Sequence, residues 1–219
     1  MKKIYLIRHG RQDSRLCNLD VPLSAEGREQ ADLLGKRLEN YRIEKIYSSH
    51  LVRAVETAQV INKHLHLDHE VLQGVQEIDF GGFTGKTEEE ICDLYGDYRR
   101  ERSLHREDLA YPEGGESGAD VVARAFPVLK GICKGQEKTL ALVTHGGVIR
   151  SLCAHILGTD QRHKLKFAID LENCSLTELV YDPERDFFFL ERFNDYGHLE
   201  SRLDLLRGAW KTSLEILDK

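Results

Sequence analysis

Hydrophobic residues along the chain form short runs that alternate with longer stretches of mixed polarity. Three runs are apolar and rich in β-forming residues: 3–7, 43–47 and 139–144. They predict three buried strands. After Ser24, after Ser49 and over residues 148–157, apolar side chains recur at steps of three and four. That period predicts a helix behind each strand, with the two serines as N-caps.

A pair of later β-forming segments lies on either side of an Asp-Pro-Glu-Arg turn at residues 182–185. These segments, 175–181 and 187–193, predict an antiparallel hairpin. Strands that alternate with helices predict a parallel sheet covered on both faces. We therefore expect an α/β fold in a single domain over residues 1–219. It is a three-layer α/β/α sandwich whose mostly parallel central sheet has an antiparallel part.

Two segments depart from this alternation. Residues 86–118 are charged, contain one short predicted helix at 88–95 and end in turn-forming residues. We expect them to form a small insertion over the carboxyl edge of the sheet, where ligands of such folds gather. From residue 199 to about 217, leucines and Trp210 share one helical face, which predicts a C-terminal amphipathic helix. Its other face is mixed in charge, which favours packing on the domain or a homodimer contact over membrane binding.

The composition narrows the classes of partner. With 41% apolar and 31% charged residues, the chain is typical of a soluble globular protein. A net charge of −6 argues against binding to nucleic acids or anionic membranes, because both require a basic surface. The N-terminal apolar run ends at Arg8, too soon for a signal peptide, and no stretch approaches a membrane span. We expect a cytoplasmic protein.

Cysteine and histidine spacing gives no disulfide or metal signature. The five cysteines are widely spaced and lack a CxxC pair, which is typical of reduced thiols in the cytosol. His64, His66 and His69 cluster near a predicted helix end, but their spacing matches no zinc motif. No metal and no cofactor are therefore expected.

Cationic side chains follow all of the predicted parallel strands. Arg8 and His9 follow the first strand, Arg53 lies shortly after the second, and His145 follows the third. The carboxyl ends of parallel strands meet at one sheet edge, so we expect these side chains to share a pocket. Arginines offer forked donors to a tetrahedral dianion, and a histidine can attack phosphorus. The pattern predicts a site for phosphoryl chemistry.

Motifs along the chain resemble those of a known family. In order they are RHG at 8–10, DVPLSAEGREQA at 20–31, SSHLVRAVETA at 48–58, EIDFGGFTG at 77–85, PEGGES at 112–117, VTHGGVIR at 143–150 and NDYGHLE at 194–200. Together they resemble the histidine phosphatase superfamily, in the branch that contains the phosphoglycerate mutases and their phosphatase relatives. The resemblance extends over nearly the whole chain and keeps the family's order.

The resemblance implies a role for each pocket residue. His9 is implied to be the nucleophile that becomes phosphohistidine. Three side chains are implied to hold the transferring phosphoryl group: Arg8, Arg53 and His145. Glu77 is implied to be the acid, with Asp79 as the alternative, and no metal takes part. For this chemistry His9 must be unprotonated on its attacking nitrogen, whereas a charged His145 is the better donor.

The sequence departs from the family pattern on the substrate side. Arg15 stands six residues after the pocket histidine, where the family has an asparagine, and the loop up to Asp20 is shorter than in the mutases. Three residues are candidates for substrate contacts: Arg11, Asn18 and Gly146. Asn18 is a candidate substitute for the missing asparagine. Arg11 and Arg15 either bind a second anionic group or belong to a solvated loop.

The function that these residues favour is a phosphomonoesterase that hydrolyses small phosphorylated metabolites through a phosphohistidine intermediate. Phosphoglycerate mutase-type transfer needs a sealed lid and a second anion site, and the short insertion lacks a strongly basic, proline-rich character. The ribazole-phosphate phosphatase of cobalamin synthesis, with similar PGGES and HGG segments, is a specific alternative. A non-catalytic phosphate-binding relative is expected to lack His9 or Glu77, and both are present. The expected partner is a small anionic phosphorylated substrate.

Overall fold

The computed structural model describes residues 1–207, which form a six-stranded sheet with helices on both faces. The strands are β1 Lys2–Arg8, β2 Lys45–Ser49, β3 His69–Leu72, β4 Thr139–Thr144, β5 Leu176–Asp182 and β6 Phe187–Asp195. Their order across the sheet is β3-β2-β4-β1-β5-β6. β1 to β4 run parallel, whereas β5 is antiparallel to both β1 and β6. The predicted mostly parallel sheet with an antiparallel hairpin is confirmed.

Helices cover the two faces of this sheet. The α-helices of the described residues are α1 Ala25–Leu38, α2 Val52–Leu65, α3 Glu88–Ser103, α4 Gly118–Ile132 and α5 Gly146–Ile156. Successive side chains of β1 point to opposite faces, so each face has its own core. Tyr5 and Ile7 pack with α1 and α2, while Ile4 and Leu6 pack with α4 and α5. The predicted α/β/α sandwich is confirmed.

One of the two predicted serine caps is present and the other is not. Ser24 Oγ accepts a hydrogen bond from the backbone N–H of Gly27 at 3.2 Å, which caps α1 as predicted. The prediction for Ser49 is wrong, because α2 begins at Val52 and the carboxylate of Asp20 accepts the N–H of that residue at 2.8 Å. A residue from a distant loop therefore caps α2, and Ser49 is left for another contact.

The insertion predicted at 86–118 contains a longer helix than expected. α3 does not end at residue 95 but only kinks there, where Tyr95 has φ −128° and ψ 24°. Beyond the kink, the guanidinium of Arg102 lies 4.2 Å from the ring centroid of Tyr111 and donates a hydrogen bond to the hydroxyl of Tyr98. These contacts stabilise the second half of the helix, which lies beyond the short helix predicted at 88–95.

Two elements lie where the sequence pattern predicted none. β3 has four residues with mostly exposed side chains, so it shows no hydrophobic alternation. α4 starts with a reciprocal cap, in which Ser117 Oγ accepts the N–H of Asp120 and the Asp120 carboxylate accepts the N–H of Ser117. Pro127 interrupts the helical pattern in the sequence, yet Val121 and Leu129 are buried on the sheet and hold the helix in place.

Between residues 199 and 207 the chain forms short 3₁₀ turns instead of the predicted C-terminal helix. Leu205 is buried, and its carbonyl oxygen accepts hydrogen bonds from Gln30 Nε2 at 2.7 Å and Arg11 Nη2 at 3.0 Å. These two side chains hold the turn around Leu205 against the loop after β1 and against α1. The rest of the predicted helix, 208–217, lies outside the described residues. Within residues 1–207 no helix has the length and apolarity that crossing a bilayer requires.

Two helical glycines give a matched test of the packing at the carboxyl edge of β1. A Cβ on Gly27, in the first turn of α1, would meet the carbonyl oxygen of Arg11 at 2.1 Å, whereas Gly131 in α4 has open space at the same position. We expect Gly27→Ala to lower the free energy of unfolding by about 1–3 kcal/mol through overpacking. Gly131→Ala should raise it by up to about 1 kcal/mol through helix propensity. Urea unfolding measures both, and a Gly27→Ala protein as stable as the parent would contradict the close packing.

Candidate active site

The pairing of β1 with β4 places two histidines side by side. Arg8 pairs with Thr144 in the parallel register, and the backbone N–H of His9 donates to the carbonyl oxygen of Thr144 at 2.9 Å. His145 follows Thr144 directly, so its ring lies beside that of His9, with the ring centroids 5.0 Å apart. Histidines from two strand ends that are far apart in the sequence therefore meet at one point.

A cavity of about 610 Å³ opens beside the His9 ring at the carboxyl edge of the parallel strands. The predicted site residues in its wall are Arg8, His9, Arg11, Asn18, Arg53 and Glu77. His145 is fully buried next to His9. The structure thus brings the residues predicted to hold the phosphoryl group, and the predicted acid, to one place.

The ring of His9 is fixed in one protonation pattern. Its Nδ1 lies 2.7 Å from the carbonyl oxygen of Gly10, which can only accept a hydrogen bond, so Nδ1 carries the proton. Burial, and then the charges of Arg53 and Arg8, hold the pKa of His9 well below 6.5, so the ring is neutral at pH 7. Nε2 therefore keeps a free lone pair. Asn173 Nδ2 donates to the His9 carbonyl oxygen at 2.8 Å and fixes the backbone.

Two arginines next to His9, the half-buried Arg8 and the buried Arg53, have part of their hydrogen-bonding capacity unused. Arg8 Nη1 donates to the carbonyl oxygen of Leu171, and Arg53 Nη2 donates to Asn18 Oδ1 at 2.8 Å. The Nε–H groups of both arginines are buried without a hydrogen-bond partner among residues 1–207. Buried donors without a partner are uncommon in proteins, because the unmade bond costs free energy. Here they indicate a site where an anion supplies the acceptor.

His145 is held by a serine and is neutral. Its Nε2 lies 2.9 Å from Ser49 Oγ, and its Nδ1 is buried without a partner in the described part of the chain. Burial, and then the neighbouring His9, Arg53 and Arg8, hold the pKa of His145 well below 6.5. Burial and the arginines both disfavour the imidazolium, and the expectation of a charged His145 during phosphoryl transfer stays a prediction. A phosphoryl dianion between the arginines would shift the balance back toward protonation.

The carboxylate of Glu77 is held by the start of α5. Its Oε1 accepts hydrogen bonds from the backbone N–H groups of Gly147 and Ile78, both at 2.9 Å. A Cβ on Gly147 would lie 2.5 Å from the same oxygen, so only glycine permits this approach. Arg124 Nη2 donates to the carbonyl oxygen of Glu77 at 3.1 Å and fixes its backbone. Oε2 accepts no hydrogen bond from residues 1–207, which leaves it for a substrate.

The predicted substrate-side residues occupy three different positions. Asn18 lines the cavity and orients Arg53 through the hydrogen bond described above. Arg11 also lines the cavity, and its Nη2 is bound to the Leu205 carbonyl oxygen. Gly146 is the first residue of α5 and is not part of the cavity wall. A Cβ on it would lie 3.5 Å from Arg8 Nε, an ordinary van der Waals contact, so the space at this position does not require glycine.

Two further residues of the cavity wall had no signal in the sequence. Asn173 lies just before β5 and reaches the backbone of His9 across the sheet. Arg207 lies in the segment predicted as a helix, and it is held at the cavity because its N–H donates to Glu172 Oε2 and its Nε donates to Asp170 Oδ1. Both positions depend on contacts between distant segments, which no local pattern encodes.

Comparison with known proteins assigns the family. Residues 4–196 match the histidine phosphatase superfamily, branch 1. The chain belongs to this superfamily. The 6-phosphofructo-2-kinase/fructose-2,6-bisphosphatase of Gallus gallus is 30% identical over 214 residues, which are 94% of this chain and 44% of that protein. The uncharacterized phosphatase PhoE of Bacillus subtilis is 29% identical over 204 residues, 91% of this chain and 97% of that protein.

Solved structures agree with this assignment. The mycobacterial glucosyl-3-phosphoglycerate phosphatase in complex with VO3 has a TM-score of 0.79 and 27% identity, covering 89% of this chain and 99% of that one. This histidine phosphatase chain thus spans less than half the length of the bifunctional kinase/bisphosphatase and nearly all of PhoE and the mycobacterial phosphatase. The predicted family and fold are confirmed.

The low pKa values of His9 and His145 predict a loss of stability in acid. In the unfolded chain each ring titrates near 6.5, so below that pH the unfolded state binds protons that the folded pocket excludes. Between pH 7.5 and pH 5.5 each such histidine should lower the free energy of unfolding by up to about 1.4 kcal/mol. We expect urea unfolding at the two pH values to show a smaller loss of stability in acid for His9→Gln than for the parent, because one buried histidine is gone. His66→Asn, at an exposed position outside the cavity, should lose as much stability as the parent. Equal acid sensitivity of His9→Gln and the parent would contradict a buried neutral histidine.

Proposed function

We propose that the protein is a metal-independent phosphomonoesterase that hydrolyses small phosphorylated metabolites through a phosphohistidine at His9. One observation carries the proposal: a neutral histidine with a free Nε2 lone pair lies beside two arginines whose buried Nε–H groups have no acceptor among residues 1–207. Such a pocket supplies both a nucleophile and a binding site for a tetrahedral dianion. In this proposal Arg8, Arg53 and His145 bind the phosphoryl oxygens, and Glu77 is the acid.

In the first step, His9 Nε2 attacks phosphorus, and the bond between phosphorus and the ester oxygen breaks. The leaving oxygen takes the proton of the Glu77 carboxyl group, so the product alcohol departs neutral. Arg8 and Arg53 balance the charge on the equatorial oxygens, which is the main demand of phosphoryl transfer. The hydrogen bond from His9 Nδ1 to the Gly10 carbonyl oxygen stabilises the positive charge that the ring acquires as the N–P bond forms.

In the second step, a water attacks phosphorus from the side that the alcohol has left. The N–P bond breaks, the Glu77 carboxylate takes a proton from the water, and inorganic phosphate departs. Because Oε1 is occupied by two backbone N–H groups, Oε2 is the oxygen that exchanges the proton in both steps. His9 and Glu77 then return to their starting protonation states.

The residues around His9 support a reaction without a metal. The charged groups next to this ring are arginines, which neutralise a dianion directly and would repel a cation. Among residues 1–207, no three His, Cys, Asp or Glu side chains are grouped as ligands for a metal ion. Arginine donors therefore take the role that a divalent cation has in other phosphoryl-transfer sites.

The names of the relatives and the size of the cavity support a small metabolite as substrate. Two of the relatives are named for fructose 2,6-bisphosphate and glucosyl-3-phosphoglycerate. A cavity of about 610 Å³ has the volume of a small-molecule site. The five free cysteines, three of them buried, suit the reducing cytoplasm as the place of action.

The phosphohistidine and the independence from metals can be tested in one experiment. After dialysis against EDTA, we expect unchanged hydrolysis of p-nitrophenyl phosphate and an acid-labile phosphoryl label on the protein in a rapid quench. His9→Ala should abolish both, because the nucleophile is gone, whereas His66→Asn should keep both. Loss of activity on chelation that Mg²⁺ or Mn²⁺ restores, or a label that survives in His9→Ala, would contradict the mechanism.

The same quench experiment separates hydrolysis from mutase-type transfer. Labelled enzyme is mixed either with water alone or with a phosphoglycerate, and the fate of the label is followed. Release as inorganic phosphate at the same rate in both mixtures is the expected result. Transfer of most of the label to the phosphoglycerate would favour a mutase.

The role of Glu77 as acid predicts a dependence on the leaving group. Glu77→Gln cannot donate a proton, so esters of simple alcohols should be phosphorylated about 10²–10⁴-fold more slowly in single turnovers. p-Nitrophenyl phosphate should lose much less, because its leaving group departs without a proton. Asp79→Asn is the matched control, since the Asp79 carboxylate accepts the N–H of Gly81 at 2.8 Å and lies outside the cavity wall. Equal losses for both esters in Glu77→Gln would exclude Glu77 as the acid.

A further inference from the structure

A second cavity of about 520 Å³ adjoins the cavity beside His9. Four residues belong to both walls: Arg15, Cys17, Phe80 and Glu88. The second cavity extends toward α3, and its other cationic wall residues are Lys86, Arg99 and Arg102. A substrate bound by its phosphoryl group at His9 can therefore continue along Phe80 into a region with a different set of charges.

The backbone holds Arg15 and Lys86 on the same rim of this second cavity. The N–H of Cys17 donates to the carbonyl oxygen of Lys86 at 2.9 Å, and the N–H of Gly85 donates to the carbonyl oxygen of Cys17 at 2.8 Å. These two bonds join the shortened loop after β1 to the segment that precedes α3. Arg15 and Lys86 project from the two joined segments, which are distant in the sequence.

Two of the cations in this wall have side-chain partners among residues 1–207 and two do not. Arg99 pairs with Glu88, and Arg102 is held over the Tyr111 ring. Arg15 and Lys86 form no side-chain hydrogen bond and no ion pair with any residue of the described chain. Glu90 is close enough to feel the charge of Lys86, but its carboxylate is bound to the N–H and hydroxyl of Thr87.

Four cations thus face one carboxylate in the wall of the second cavity, although the whole chain has a net charge of −6. Like charges held close together repel one another, so a cluster of cations in an acidic protein indicates a compensating interaction. An anionic ligand group is the simplest one, since charge-assisted bonds to Arg and Lys are among the stronger contacts available.

We propose that Arg15 and Lys86 bind a second anionic group of the substrate, a carboxylate or a phosphate, and so select doubly anionic phosphomonoesters. The body of the substrate packs on Phe80 between the two anion sites. This assignment rests on the proposed phosphomonoesterase function and adds the substrate class to it. Arg15, which stands where the family pattern has an asparagine, then has a specificity role on the substrate side.

Matched pairs of esters test the assignment. Glucose 6-phosphate and 6-phosphogluconate differ by a carboxylate, and fructose 6-phosphate and fructose 1,6-bisphosphate differ by a second phosphate. For at least one pair we expect kcat/KM to favour the doubly anionic member by about tenfold or more, the worth of one charge-assisted bond. The pair that shows the preference tells which of the two anions the site takes.

Neutral variants then locate the preference. Arg15→Gln and Lys86→Gln should each lower the ratio of the two kcat/KM values severalfold, mainly through KM of the doubly anionic ester, and the double variant should bring the ratio close to one. Arg100→Gln is the matched control, because Arg100 is an exposed cation of α3 outside both cavity walls and pairs with Asp97. It should leave the ratio unchanged.

The outcomes separate this assignment from the proposed function. A parent enzyme that hydrolyses the esters with ratios near one, or a double variant that keeps the preference, overturns the second anion site and leaves the phosphatase function standing. If no ester is hydrolysed, the phosphatase proposal fails. In that case the second anion site is tested by calorimetric binding of the same four compounds to His9→Ala. Tighter binding of the doubly anionic member of a pair supports the site, and equal affinities within both pairs overturn it.

Discussion

Positive charge buried without full compensation is the constraint on which the rest of the structure depends. Burial lowers the pKa of both Arg8 and Arg53, and Glu77 is a carboxylate that acts on each of them in the opposite direction. Burying charge without a complete partner costs stability. An anion that binds here supplies the missing partner of the two arginines. Part of the stability lost by burying them is therefore regained as binding free energy for a phosphoryl group.

The hydrogen bonds that orient these cations come from neutral groups, and the Asp20 carboxylate lies 3.8 Å from Arg53 Nη1 as a longer ion pair. Arg8 donates to the carbonyl oxygen of Leu171, and Arg53 donates to the carbonyl oxygen of Leu19 and the amide oxygen of Asn18. A carboxylate in the same place would hold an arginine equally well, but it would also cancel its charge. Carbonyl and amide oxygens fix the direction of the guanidinium and leave most of its charge for the ligand.

The sequence predicts the elements that depend on local pattern and misses those that depend on distant contacts. The buried strands and the hairpin follow from apolar runs, and the convergence of His9 and His145 follows from parallel strand ends. A serine before a helix predicts a cap at Ser49, but its hydroxyl lies against His145. The 3₁₀ turns near Leu205 and the position of Arg207 depend on bonds to residues far back in the chain, and no local pattern encodes these bonds.

The loop between β1 and α1 is also the foundation of α2. Asp20 caps the first turn of that helix, and Asn18 and Leu19 hold the arginine that projects from it. Residues 18–20 therefore support α2, whereas the hydrogen bonds of residues 13–16 stay within the loop, so this part can vary in length and charge. A chimera that exchanged the whole loop with a relative would remove the support of an arginine that was itself left unchanged. Transplanting specificity within this fold requires the cut to be made before Asn18, so that the variable half moves and the anchoring half remains.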